Sequence, residues 1–294
     1  MSRTLNYVYD TIDDVHKDKS AHTRRSMIAG TTALLGTMGL LAWSEEADAA
    51  HATVPAGTSE PNTPQTILNI AATAEVLATI VNTVGGEQPD DFFKALPGGE
   101  LQAAITKQNI RAAAREELIH FQVLQSLGGR PLTRTIFVPN AYLANPTGLL
   151  SALEIGDQIF VNAYLIGVTT FANNQARGAA DGKLARIAAE FCGTEAIHRA
   201  LARQSLGKLG NDRVFLRYST AETANAPQPN PNAQGFRRIA TAVAQLQAAG
   251  FGFGQQGSMP GTAFNFDEVS ARTPAVGSTG EGPLQGTVNT LTPR

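Results

Sequence analysis

Cys192 is the sole cysteine in 294 residues, so no intramolecular disulfide can hold this chain together. Stability has to come from a packed core, supplemented by bound metal where the chain supplies ligands. Charged residues make up only 16%, aromatic residues 6%, and the formal net charge is -2. That balance lacks the basic footprint of a nucleic-acid binder and excludes nucleic acid as a partner class. Histidine is scarce as well: there are five, and His16, His22 and His51 all precede residue 52. What is plentiful is alanine and glycine, small residues that suit close helix packing, within a hydrophobic content of 43%.

Residues 1–49 read as an export signal and are set aside from the fold. Thr23-Arg24-Arg25-Ser26-Met27-Ile28 carries a twin-arginine pattern, and Ala47-Asp48-Ala49 is a small-x-small cleavage site. The run between them, Met27 to Trp43, is diluted with Gly and Thr and falls short of the roughly twenty strongly apolar residues of a membrane anchor. Export by the twin-arginine route, to the periplasm or beyond, is therefore expected. That route carries folded proteins, which suits a chain that captures its metal before leaving the cell. After the signal, Leu149 to Val168 comes nearest to a membrane span, but Glu154, Asp157, Gln158 and Asn162 interrupt it. No stable span is expected in the mature chain.

Residues 50–63, rich in Pro, Thr, Ser and Gly, read as a flexible leader. Thr63 as cap and Pro64 at the first position open a helix that should stop at Gly85-Gly86. A second helix is expected from about Glu100 to Leu127, a third from about Thr147 to Asn173 or Asn174, and a fourth from Asp181 to about Leu206. Between the second and third lies a connector with a short β-prone run, Thr135-Ile136-Phe137-Val138. The reading is an all-α fold: a four-helix bundle over residues 64–210 with a C-terminal extension over 211–272. That extension holds a Pro/Asn-rich linker (225–235), a fifth helix (236–249), and phenylalanines at 251, 253, 264 and 266 that would pin a loop to the bundle. Residues 273–294 read as a disordered tail.

The two histidines left, His120 and His198, each follow a glutamate by three residues: Glu117-Leu118-Ile119-His120 and Glu195-Ala196-Ile197-His198. At that spacing on a helix the two side chains share a face and reach one point. With one carboxylate from each of two further helices, two such pairs make the dinuclear metal site of a helix bundle. The first helix offers only Glu75, costly to bury there without a partner or a metal. The third offers Glu154 and Asp157. If the third and fourth helices are antiparallel, Glu195 lies roughly 21 Å into its helix, level with about residue 159, nearer Asp157 than Glu154; glutamate's longer reach keeps both open. Glu116 should point about 100° away from Glu117, toward basic neighbours on the surface. Tyr164, seven residues after Asp157, lies on the same face, where its hydroxyl either hydrogen-bonds a ligand or is satisfied within the core. Cys192, one turn before Glu195, reads as a buried inert thiol. So many carboxylates favour iron or manganese over zinc or copper.

These stretches resemble the bacterial ferritin-like domain family that includes the desiccation-related proteins. The resemblance rests on Ile67-Leu68-Asn69 leading to Glu75, on Glu116-Glu117-Leu118-Ile119-His120-Phe121, on Asn162-Ala163-Tyr164-Leu165 and on Glu195-Ala196-Ile197-His198. It extends to Ala248-Ala249-Gly250-Phe251-Gly252-Phe253-Gly254 and Phe266-Asp267-Glu268-Val269-Ser270, covering roughly residues 64–270. It implies a ferritin-like bundle with a di-iron or di-manganese centre at Glu75, Glu117, His120, Glu195 and His198, and it admits a homo-oligomer. Alignment without a gap puts Asp157 where the family usually has glutamate, which leaves the second bridging carboxylate open. Three functions follow: a dimetal oxidoreductase acting on dioxygen or hydrogen peroxide, a non-enzymatic metal-binding or desiccation-protection protein, and cage-like iron storage.

Overall fold

In the computed structural model the chain divides into two units, Met1–Ala50 and His51–Arg294. The structure describes residues 62–173, 179–210, 236 and 238–275. The expected export signal, most of the leader, the 225–235 linker and residues 276–294 lie outside the described residues.

The second unit is mostly helical. Among the described residues its elements in chain order are α1 (Pro64–Gly86), α2 (Asp90–Phe93), α3 (Gly99–Ser126), β1 (Thr135–Pro139), α4 (Asn140–Leu143), α5 (Pro146–Asn173), α6 (Ala179–Ser205), α7 (Ile239–Ala248), β2 (Gly252–Phe253), β3 (Gly261–Asn265) and α8 (Phe266–Ser270). Helix α1 starts as its sequence prescribes, with the Thr63 hydroxyl accepting from the Thr66 amide at 3.1 Å and proline in the first turn. It ends at Gly86, within the glycine pair where its stop was expected. Both glycines remain helical, because their missing side chains let neighbours approach: a Cβ on Gly85 would meet Leu149 at 2.9 Å, and one on Gly86 would meet Arg111 at 2.7 Å. Helix α6 likewise begins at Ala179, ahead of the expected cap Asp181.

The long helices pack as two pairs, α1 with α3 and α5 with α6, and the pairs meet along α1/α5 and α3/α6. Contacts between ends fix the directions. Gln65 at the start of α1 donates to the Gly128 carbonyl beyond the end of α3 at 2.9 Å, and Leu149 near the start of α5 meets Gly85 at the end of α1. Thr106 near the start of α3 shares a 2.8 Å hydrogen bond with Ser205 at the end of α6. Gly167 late in α5 faces Ala188 early in α6. Neighbouring helices are thus antiparallel, so α3 and α5 run the same way. The connector at 127–145 must therefore travel back along the helices, and β1 lies within it.

The β-prone run at 135–138 becomes the centre of a three-stranded antiparallel sheet, ordered β2-β1-β3. Ile136 pairs with Phe253 on one side and Phe264 on the other. The expected aromatic loop is thus partly strand. Its phenylalanines do anchor it: Phe251, Phe253 and Phe266 are at most 3% exposed. Gly252 is required there, since a Cβ would lie 2.1 Å from the Gln255 carbonyl oxygen. Helix α7 covers α1 and α5, and α8 packs on α1. The tail expected to be disordered from 273 is held at its start, where the Thr273 and Thr83 hydroxyls are 2.8 Å apart.

By length and hydropathy α1 and α5 are each long and apolar enough to cross a membrane, α1 more so than the Leu149–Val168 stretch singled out from sequence. In this fold 89% and 72% of their apolar windows are buried, as in core helices.

Candidate metal centre

All four long helices send acidic or imidazole side chains to one place. Glu75 comes from α1, Glu117 and His120 from α3, Asp157 from α5, and Glu195 and His198 from α6. They form two groups: Glu75, Glu117, His120 and Glu195; and Glu117, Asp157, Glu195 and His198. Within each group one ligand-type atom from every residue lies within 4.8 Å of the others. Glu117 and Glu195 belong to both. The i, i+3 spacing works as helix geometry dictates. His120 Nδ1 lies 3.2 Å from Glu117, and His198 Nδ1 lies 3.7 Å from Glu195. Across helices, His120 Nδ1 is 3.5 Å from Glu195 and His198 Nδ1 is 2.9 Å from Glu117.

None of the six is more than 9% exposed. Burying this much negative charge is costly unless something positive accepts it. Several of the inward atoms have no hydrogen-bond partner: Glu75 Oε2, Asp157 Oδ2 and both Glu195 carboxylate oxygens, while Glu117 Oε1 and His198 Nδ1 face each other at 2.9 Å. Orphaned lone pairs aimed at a common centre are the donor set a hard or borderline divalent cation takes. The cluster can hold a metal ion. Without one, protons must do the compensating. Burial holds the Glu75 and Asp157 carboxyls well above the usual carboxylate range. Burial opposes protonation of His120 and His198, yet the surrounding carboxylates outweigh it and hold both imidazoles well above their ordinary range. Burial also pushes Glu117 upward, but His198 and His120 overcome it and the net direction is down.

Three surrounding residues act on the cluster. The Tyr164 hydroxyl donates to Glu75 Oε1. Phe191 stacks on the His120 ring, with centroids 3.9 Å apart, and Tyr164 meets Phe191 edge-on. Glu116 Oε2 lies 2.9 Å from His198 Nε2; with Nε2–H donating outward to it, a neutral ring would present Nδ1 inward as a lone pair. The hydrogen bond from His198 lowers the Glu116 pKa.

No protein-family model, no curated protein and no solved structure matches the chain. The reading of the site rests on its own geometry.

Of the sequence candidates, Glu75, Glu117, His120, Asp157, Glu195 and His198 come together and Glu154 does not. Glu154 is buried in a separate ion cluster, bonded to Arg203 and, at 2.5 Å, to Lys208 Nζ. One helical turn separates it from Asp157, enough to change its neighbours from acids to bases. Glu117 and Glu195 belong to both groups, whereas the shorter Asp157 belongs to one. Glu116 departs from its expected surface role: Arg115 is only at 4.0 Å, and its stronger partner is His198. Cys192 is buried, with Sγ 3.7 Å from the Val161 carbonyl oxygen, and burial followed by the charge of Glu195 pushes its thiol up to about 11. It belongs to neither group and stays a protonated core residue. Arg199, fully buried, was not anticipated; its charge offsets part of the cost of burying Asp157. A mid-helix arginine one residue after His198 carries no sequence signal of that role.

Proposed function

We propose that this chain is an exported ferritin-like protein that binds two iron or manganese ions and reacts with dioxygen or hydrogen peroxide in stress protection. The observation that carries the reading is the pairing of two four-residue groups through Glu117 and Glu195. Each group then has one histidine and one carboxylate of its own: His120 with Glu75, and His198 with Asp157. Four carboxylates balance the charge of two divalent ions, leaving both imidazoles neutral. An oxygen-rich set with two nitrogens suits iron and manganese.

When bound, such a metal pair would supply the two-electron redox chemistry that carboxylates and imidazoles lack. The protein's residues hold and orient. Glu116 fixes the His198 tautomer, Tyr164 fixes the Glu75 rotamer, and Phe191 shields the His120 ring from water. Peroxide disposal balances without a further reductant, two H2O2 giving two H2O and one O2. Four antiparallel helices with a returning connector support the ferritin-like reading. Arg24-Arg25 and the small-residue site at Ala47–Ala49 support export by the twin-arginine route.

Metal analysis of protein exported by its own host tests this. About two equivalents of iron or manganese with peroxide turnover is the expected result. A fully folded, exported protein with no bound metal would overturn it. Bound metal without turnover would favour the alternative, a non-enzymatic metal-binding protein of desiccation or stress protection.

A further inference from the structure

The two groups of ligands do not have the same surroundings: one cavity is lined by Asp157 and His198, the two ligands peculiar to one group. That cavity lies in the helix interior and offers about 30 Å³ for water-sized molecules, room for one or two of them. Its floor is formed by Asp157 and His198. Its walls include the buried side chains of Thr106, Ser205 and Asn82, and Asn109 and Leu201, both half-buried, form its outer lip between α3 and α6. Two other cavities come near the centre only through Tyr164 and Phe191, and none of the six ligands lines them. At the Glu75–His120 side, Tyr164 occupies one carboxylate oxygen and Phe191 covers the imidazole. At the Asp157–His198 side, aspartate is one methylene shorter than glutamate and leaves more space.

We infer that small molecules of the size of water or hydrogen peroxide reach the centre through the α3/α6 cavity and meet it at the Asp157–His198 side. The inference rests on the metal-binding reading above. The narrow volume excludes alkyl hydroperoxides. The Glu75–His120 ion is then the one held out of contact with substrate.

The test varies the route without touching a ligand. Ala113, one turn before Glu117 on the cavity wall, is replaced by leucine to close it; Leu201→Ala opens the lip. Full-length protein is loaded with cobalt(II), and azide, a narrow polar probe, is mixed in while the visible spectrum is followed. Azide association should slow by about tenfold or more in Ala113→Leu and speed up severalfold in Leu201→Ala, with two cobalt ions bound in both. The opened variant should also gain reactivity toward tert-butyl hydroperoxide relative to hydrogen peroxide once iron or manganese is loaded. If Ala113→Leu does not fold, Leu201→Ala alone decides, since a half-buried lip residue tolerates truncation. Azide rates within twofold of the parent in the folded variants, with cobalt fully bound, would overturn the route while sparing the metal centre. Failure of the parent chain to take up cobalt would overturn both.

Discussion

His120 and His198 occupy matched positions in matched motifs, yet the molecule treats them differently. His120 lies under Phe191 in a dry aromatic corner, and its companion Glu75 is bonded to Tyr164. His198 lines a cavity with room for a small molecule, and its outer nitrogen is bonded to Glu116, whose side chain is 43% exposed. One half is built to hold and the other to exchange. Identical ligand types acquire different roles through what packs behind them.

The largest effect should come from removing what the halves share. Glu195→Gln keeps the shape but withdraws the carboxylate common to both groups, so metal uptake should fall from about two equivalents to near zero. Asp157→Asn should leave one ion bound on the Glu75–His120 side. Equal loss in the two variants, measured by metal analysis of folded protein, would erase the distinction between shared and unshared ligands.

Protons set the next effect. Metal-free, Glu75, Asp157, His120 and His198 are all shifted toward their protonated forms, the acids by burial and the imidazoles by their carboxylate neighbours. A divalent ion must displace those protons, so affinity should rise with pH, by about tenfold per unit for each proton released. Because the imidazoles are held above the ordinary range near 6.5, the rise should persist beyond pH 7. Calorimetry in buffers of different ionisation enthalpy counts the protons directly.

Much of this was legible because it is local. The i, i+3 pairs name four ligands without a fold, and depth along two antiparallel helices favours Asp157 over Glu154 by simple arithmetic. The contacts that divide the two halves are not local. Glu116 and His198 are 82 positions apart, and Tyr164 and Glu75 are 89 apart. Nothing near Glu116 in the sequence separates a glutamate that faces solvent from one that steadies an imidazole. The small sheet hid for the same reason: β1 pairs with strands more than a hundred residues later, and period-2 patterning over five residues cannot announce that. Gly85-Gly86 ends α1 where expected, but its second use, letting Leu149 and Arg111 approach, depends on residues far along the chain.

Opening the sealed half would sharpen the contrast. Phe191→Ala removes the ring stacked on His120 and should cost about 3–5 kcal/mol of stability, as large-to-small core changes do. Where the fold survives, the Glu75–His120 ion should become extractable by a chelator at a rate approaching that of its neighbour. Unequal release in the parent and equal release in the variant is the expected pattern. On the other half, Glu116→Gln leaves the bulk in place but weakens the hold on His198 Nε2–H, and should lower affinity for the Asp157–His198 ion about 10–100-fold. Loss of the other ion instead would assign Glu116 to the wrong half.

The smallest change expected is in Tyr164→Phe. The hydroxyl donates a hydrogen bond to a buried carboxylate, and its loss should cost roughly 1–3 kcal/mol in the metal-free protein. With metal bound the cost should shrink, because the ion now satisfies the charge on Glu75 and holds its rotamer. Thermal unfolding of parent and variant, each with and without metal, gives the four values of a thermodynamic cycle. A penalty larger in the metal-bound pair would mean that Tyr164 positions Glu75 for the ion rather than stabilising the buried carboxylate in the ion's absence. The sealed half would then owe its grip to that hydroxyl as much as to Phe191.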